Sequence, residues 1–262
     1  MFDFHLDRFG YFQTQVANTE KSVIPFIELF VGDIRSRLNV LEIGCAEGGV
    51  LKAFVNQGCT GTGIELNAVR VAQAKEYLKD DIDAGRIRIL HGDIFDDSLM
   101  PEATGKFDLI ILKDVIEHMH SKERLLKKLK AYLAPFGLIF VGFPPWRMPF
   151  GGHQQICRSK FLSRLPWVHL LPASIYRAIL NKLGEDAAYL MDIKQTGISI
   201  TGFERLAART GYKITGLQHY LISPIYEYKF GWRAVEQFEL IAMIPYFRDF
   251  LTTAVYYLIK DI

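Results

Sequence analysis

The stretch VLEIGCAEGGVL (residues 40–51) joins a short apolar run to a helix-like run through a loop carrying three glycines, Gly44, Gly48 and Gly49. Val40, Leu41 and Ile43 suit a buried strand. The glycines let the backbone turn sharply and approach a ligand with no Cβ in the way. The helix that follows, EGGVLKAFVNQG, ends at Gly58 and directs unpaired N–H groups toward the loop. Outward from this point the pattern repeats. TGTGIEL reads as a second strand and NAVRVAQAKEYLKDD as a helix capped by Asn67. RIRILHG is a third strand, KFDLIILKD a fourth and GLIFVGF a fifth, with a basic helix at 121–133 stopped before Pro135. Upstream, residues 17–37 have helical apolar spacing. Downstream, ITGFERLAARTG reads as a helix, and 212–221 and 235–244 as strand-like segments. Apolar strands alternating with amphipathic helices imply a parallel sheet covered on both faces, hence a doubly wound α/β fold. In such folds the ligand site lies beyond the carboxyl ends of the strands.

Composition narrows the function classes. The chain has 262 residues, 50% apolar and 23% charged, enough for a substantial core and against general disorder. Its 31 basic and 29 acidic residues leave +2, too near neutrality for a nucleic-acid coat. Cys45, Cys59 and Cys157 are too few and too scattered for a disulfide framework, and no spaced cluster suggests a metal, so none is expected. The opening residues lack a secretory layout, and no run of roughly 20 apolar residues suits a membrane span, so a reduced cytoplasmic setting is the expectation.

The glycine loop alone is ambiguous. Gly44-x-Ala46-x-x-Gly49 passes for a degenerate dinucleotide fingerprint, with Glu65 at a spacing suited to ribose. Glu42 discriminates. A carboxylate at the end of an apolar strand would repel a pyrophosphate and suit a cationic ligand without phosphate, such as S-adenosylmethionine.

In order and spacing, VLEIGCAEGGVL, GIEL, HGDIF, FDLIILKDVIEHM and LKAYLAPFGLIFVGFPPW resemble the five strand-end motifs of class I S-adenosylmethionine-dependent methyltransferases. The resemblance spans residues 40–146. It implies a Rossmann-like, mostly parallel seven-stranded sheet with a helical lid inserted after the fifth strand. Residues 1–37 would be an N-terminal cap in which Tyr11 or Phe12 closes the cofactor pocket. Residues 38–143 and 196–262 would form the cofactor-binding core, and 144–195 the lid. The resemblance also implies that Gly44, Cys45 and Ala46 line the methionine moiety and that Glu42 helps hold its amino group. Glu65 would take the ribose hydroxyls, Leu66 would lie against adenine, and Asp93 with the Ile94 N–H would meet the adenine edge. Lys113 would contribute backbone or stem rather than charge. Ala46 departs from the pattern, which often has a second glycine there.

Methyl transfer from a sulfonium needs alignment and at most one base. His118, just after the fourth strand, and His153, on the PPWRMPFGGHQQICR loop, are the candidates, while His91 and His169 read as structural. The 144–195 segment holds half of the ten prolines and a local charge of +4, seven basic residues against three acids. Interleaved aromatics make it suited to a small, lipid-linked or glycan-linked acceptor, with Trp146, His153, Gln154 and Arg158 as candidate contacts and an oxygen as the expected methyl acceptor. Nucleic acid is not expected as a partner. The apolar C-terminal piece YFRDFLTTAVYYLIK reads as a docked helix; a dimer or peripheral contact at the inner membrane face is its alternative use. Two competing functions stay open: a nicotinamide-dependent oxidoreductase, and a catalytically silent S-adenosylmethionine-binding protein.

Overall fold

A computed structural model describes residues 7–34, 38–100 and 106–262. Among the described residues, eight strands form one sheet: β1 (Asn39–Ile43), β2 (Thr60–Glu65), β3 (Ile87–His91), β4 (Phe107–Lys113), β5 (Leu133–Phe143), β6 (Tyr212–Ile222), β7 (Val235–Glu236) and β8 (Ala254–Asp261). Their order is β3-β2-β1-β4-β5-β8-β6-β7. The first five are parallel; β8 runs antiparallel between β5 and β6, and β7 adds a two-residue antiparallel edge. The strand order reverses between β1 and β4, which puts the switch point at the Gly44 loop. The sheet thus has one strand more than the seven expected.

Helices α1 (Arg8–Asn18), α2 (Ile24–Val31), α3 (Gly49–Asn56), α4 (Ala68–Tyr77) and α5 (Lys79–Asp83) precede β3, and α6 (Lys122–Lys130) precedes β5. Alternate residues of the central strands enter opposite cores. Leu41, Ile110 and Ile139 join Leu125 and Leu129 of α6 and Phe203 on one face. Val40, Leu109 and Phe140 join Phe54 of α3 and Ile27 of α2 on the other. Burial on both faces is why these strands read as continuous apolar runs.

The N-terminal helix starts earlier than its apolar spacing implied. Asp7 caps it, accepting from Gly10 N at 2.8 Å, and α1 passes through a wide turn at Thr19–Val23 into α2. Residues 1–6 and 35–37 of the expected cap lie outside the described residues.

The C-terminal piece corrects the helix expectation. After a single turn, Arg248–Leu251, it enters the sheet as β8. Val255, Tyr257 and Ile259 point into one core and Ala254, Tyr256 and Leu258 into the other, a two-residue period hidden because both sets are apolar. The strand expected over 235–244 shrinks to β7, followed by a helical turn at Glu239–Ala242.

Residues 144–199 contain no strand; α7 (Ala173–Lys182) and α8 (Ala187–Thr196) enclose a separate cluster around Tyr176, Leu180 and Leu190. Helix α9 (Ile200–Arg209) then returns to the sheet, and α10 (Tyr226–Phe230) follows β6. Among the described residues, no helix is long and apolar enough to cross a membrane.

Candidate functional site

At the end of β1, Gly44 adopts φ +68, and a Cβ there would stand 2.8 Å from Val115 Cγ2, so the tight turn requires glycine. Four of the turn's donors are already committed. Gly44 N and Cys45 N both donate to Ile64 O (2.8 and 3.1 Å), Ala46 N donates to Glu65 Oε2 (2.9 Å), and Gly48 N to Cys45 O (2.7 Å). Leu51 N, in the first turn of α3, donates to Glu42 Oε2 at 3.2 Å. Gly49 is bare for another reason: a Cβ would meet Phe12 O at 2.6 Å, so this glycine lets α1 lie against α3.

Between α1 and the loop is a cavity of about 90 Å³, lined in part by Tyr11, Phe12, Glu42, Gly44, Cys45 and Ala46. Lys113 and Asp114 of the β4 end complete one wall and Glu47 and Arg70 another. Glu42 is buried, and desolvation pushes its pKa well above the usual carboxylate value, against the pull of the Lys113 ammonium. Lys113 Nζ lies 2.6 Å from Asp114 Oδ2. Burial opposes the ammonium most, yet Asp114 with Tyr256 and Tyr11 together outweigh it and raise the Lys113 pKa. Desolvation also opposes the Asp114 carboxylate, and Lys113 holds it below its ordinary value. Lys113 therefore lines the site with its charge compensated by Asp114.

Of the expected cofactor residues, Glu42, Gly44, Cys45, Ala46 and Lys113 line this cavity; Glu65, Leu66, Asp93 and Ile94 do not. The latter four sit on the adjoining carboxyl edge, where β2 and β3 pair Glu65 with His91. Glu65 spans two loops, accepting from Ala46 N and, through Oε1, from Asn67 N at 2.8 Å. Two hydrogen bonds leave acceptor capacity on a carboxylate. Leu66 is 68% exposed, Ile94 is buried in the core, and Asp93 accepts from Phe95 N at 2.9 Å. His91 is exposed and contacts Leu66 O at 3.1 Å, outside the apolar setting expected for it.

His118 and His153 come together, their rings 5.0 Å apart in an edge-on arrangement. His153 adopts φ +55, a left-handed conformation uncommon for a side-chain-bearing residue. Burial, then the His118 charge, push its pKa down to about 4; burial also lowers that of His118, although Asp114 pulls the other way. Glu117 joins them: its Oε1 is 4.0 Å from His118 Nε2. Where the sequence suggested no metal site, one donor atom from each of Glu117, His118 and His153 falls within 4.8 Å of the others.

Of the other expected acceptor contacts, Gln154 is overturned, while Trp146 and Arg158 keep partly or fully exposed side chains. Gln154 is fully buried and donates to Pro149 O and Leu165 O, fixing its own loop. Trp146 packs edge-on against buried His169, ring centroids 4.6 Å apart, with the Lys194 ammonium over its face. Arg158 is exposed, and its backbone N–H binds Glu185. Of the aromatic residues that suggested an acceptor surface, Tyr176 and Trp146 join this segment's own core, while Phe161, Trp167 and Tyr189 stay exposed. Sequence reasoning missed α10, whose Lys229 and Tyr226 both feel the Asp114 charge; at five residues it is too short to show a helical period.

The fold recurs among solved proteins. A putative sarcosine dimethylglycine methyltransferase from Galdieria sulphuraria superposes with a TM-score of 0.59, at 14% identity, over 92% of this chain and 84% of that one. A geranyl diphosphate methyltransferase solved in complex with SAM gives 0.54 at 15% identity, over 92% and 85%. Among curated relatives, pavine N-methyltransferase from Thalictrum flavum subsp. glaucum is 29% identical over 139 residues, 50% of this chain but 37% of the relative. Ubiquinone biosynthesis O-methyltransferase from Leptothrix cholodnii is 25% identical over 120 residues, 45% of this chain and 48% of the relative. The chain thus spans about half or less of the length of these relatives. A family model described as a methyltransferase domain matches residues 16–217, from within α1 to within β6, taking in the glycine loop and the β4 end but not Tyr11 or Phe12, and the chain belongs to that family.

Proposed function

We propose that the chain transfers a methyl group from S-adenosylmethionine to an oxygen of a small or lipid-attached acceptor held beneath a lid formed by residues 144–195. The observation that carries the cofactor is the state of the glycine loop. Four of its amides are spent on Ile64, Glu65 and Cys45 rather than left free to cradle phosphate, and a buried carboxylate, Glu42, stands behind it. A pyrophosphate would find repulsion and few donors; a cationic ligand suits the donor set. The relatives include N- and O-methyltransferases, and oxygen is our choice between them.

When bound, the cofactor supplies an electrophilic methyl on a cationic sulfur. Glu42, Lys113 and Asp114 would meet the charges of its amino-acid end. Glu65 has unused lone pairs for the ribose hydroxyls and Asp93 for the adenine edge. Tyr11 and Phe12 would cover the pocket and exclude water. On the acceptor side, His118 and His153 would be the candidate bases while their imidazoles are free of metal. Exposed Trp232, Phe238, Leu240 and Met243, beyond α10, support an apolar or lipid-attached acceptor.

Calorimetry tests the cofactor reading. S-adenosylmethionine and its demethylated product should bind, Glu42→Ala and Asp93→Ala should weaken both, and NAD should not compete. Preferential binding of the dinucleotide would overturn it. An acceptor panel of hydroxyl and amine compounds then tests the oxygen assignment.

A further inference from the structure

The three residues Glu117, His118 and His153 come from two separate parts of the chain. Glu117 and His118 occupy a helical turn directly after β4, and His153 sits in the loop that follows β5. Their donor atoms lie within 4.8 Å of one another. Donors around a tetrahedral Zn²⁺, bonded at about 2.0–2.2 Å, stand roughly 3.4 Å apart, so small side-chain rotations would close the set.

A second observation points to a ligand. Glu117 is 5% exposed, and its Oε2 is buried without a hydrogen-bond partner. A buried carboxylate oxygen with nothing to bind is costly, and either a proton or a metal cation would satisfy it. The turn bearing His153 is also tightly held: a Cβ on Gly152 would stand 2.2 Å from His169 Cβ, so the loop has little freedom to present the imidazole elsewhere.

We propose that Glu117, His118 and His153 bind a divalent transition-metal ion that ties the 144–195 segment to the β4 end of the core. Two imidazole nitrogens and one carboxylate oxygen form a donor set suited to Zn²⁺ or Co²⁺ rather than to Mg²⁺ or Ca²⁺. Three protein ligands leave a coordination position for water or for a hydroxyl of the acceptor. The part concerning the acceptor rests on the methyl-transfer reading; the binding of the metal does not.

The test is titration of the full chain, first treated with chelator, with Co²⁺, following its visible absorption and the bound metal by equilibrium dialysis. One equivalent should bind with the intense bands of low-coordinate Co²⁺. Glu117→Gln and His153→Ala should each weaken it at least tenfold while S-adenosylmethionine still binds, which shows the variants folded. Co²⁺ should also slow proteolytic cleavage within 144–195. No stoichiometric binding, or unchanged affinity in both variants, would overturn the proposal, and loss of S-adenosylmethionine binding by the unaltered chain with Co²⁺ binding intact would instead overturn the methyl-transfer reading.

Discussion

The carboxylate of Glu42 reaches from β1 to the amide of Leu51 at 3.2 Å, so the strand caps the helix that follows it while the same carboxylate faces the cavity. One side chain thereby joins fold and site. Its raised pKa means that a cationic ligand binds the ionised form and expels a proton. Affinity for S-adenosylmethionine should therefore rise with pH above the usual carboxylate range, with proton release detectable by calorimetry in buffers of different ionisation enthalpy. Glu42→Gln should keep the Leu51 bond, flatten the pH dependence and lower affinity about tenfold or more.

Glu65→Ala leaves the amides of Ala46 and Asn67 without their acceptor. Each orphaned donor costs about 1–3 kcal/mol. Urea unfolding should show a loss of about 2–4 kcal/mol together with loss of cofactor binding. Glu65→Gln, which keeps one acceptor oxygen, should lie between.

Gly49→Ala places a methyl 2.6 Å from the Phe12 carbonyl, a backbone atom that cannot rotate away. Overpacking of this kind costs about 1–3 kcal/mol. Here α1 should move off α3, and the expected result is weaker cofactor binding and faster proteolysis of residues 8–31.

Ala46 holds φ +48 where glycine would be unstrained. The left-handed region costs a side-chain-bearing residue about 1–2 kcal/mol, partly offset by the greater freedom of an unfolded glycine. Ala46→Gly should raise stability by about 0.5 kcal/mol with cofactor binding retained, read from the thermal midpoint.

His169 and His219 are buried, and burial lowers the pKa of each from 6.5 to about 4. The unfolded chain then holds more protons than the folded one between these values, so stability rises with pH through that window. Urea midpoints should fall as pH drops from 6.5 toward 4, and the slope should lessen in a His219→Asn variant.

The parallel half of the sheet was legible because its strands are short, apolar and bounded by glycine, proline or capping polar residues. Asn67, expected as a cap, accepts from Val69 N and Arg70 N. The loop residues lining the cavity were legible because only glycine and an acid at those positions make chemical sense. Two of the failures share one cause: apolarity without period. β8 hides its alternation because both faces are buried, and Trp146 and Gln154 belong to a local core that composition alone could not separate from a binding surface. The meeting of His153 with Glu117 and His118 depends on a contact across 35 residues or more, which no local pattern carries.

β8 lies between β5 and β6, pairing along six positions with the one and eight with the other. Two strands that leave the ribosome earlier therefore cannot be joined until the segment between them arrives. Long-range pairing of this kind is slow and leaves sheet edges open to unwanted association. During synthesis, the nascent chain would carry an assembled parallel half of the sheet waiting on this strand, and chaperone demand should peak just before residues 254–261 clear the exit tunnel.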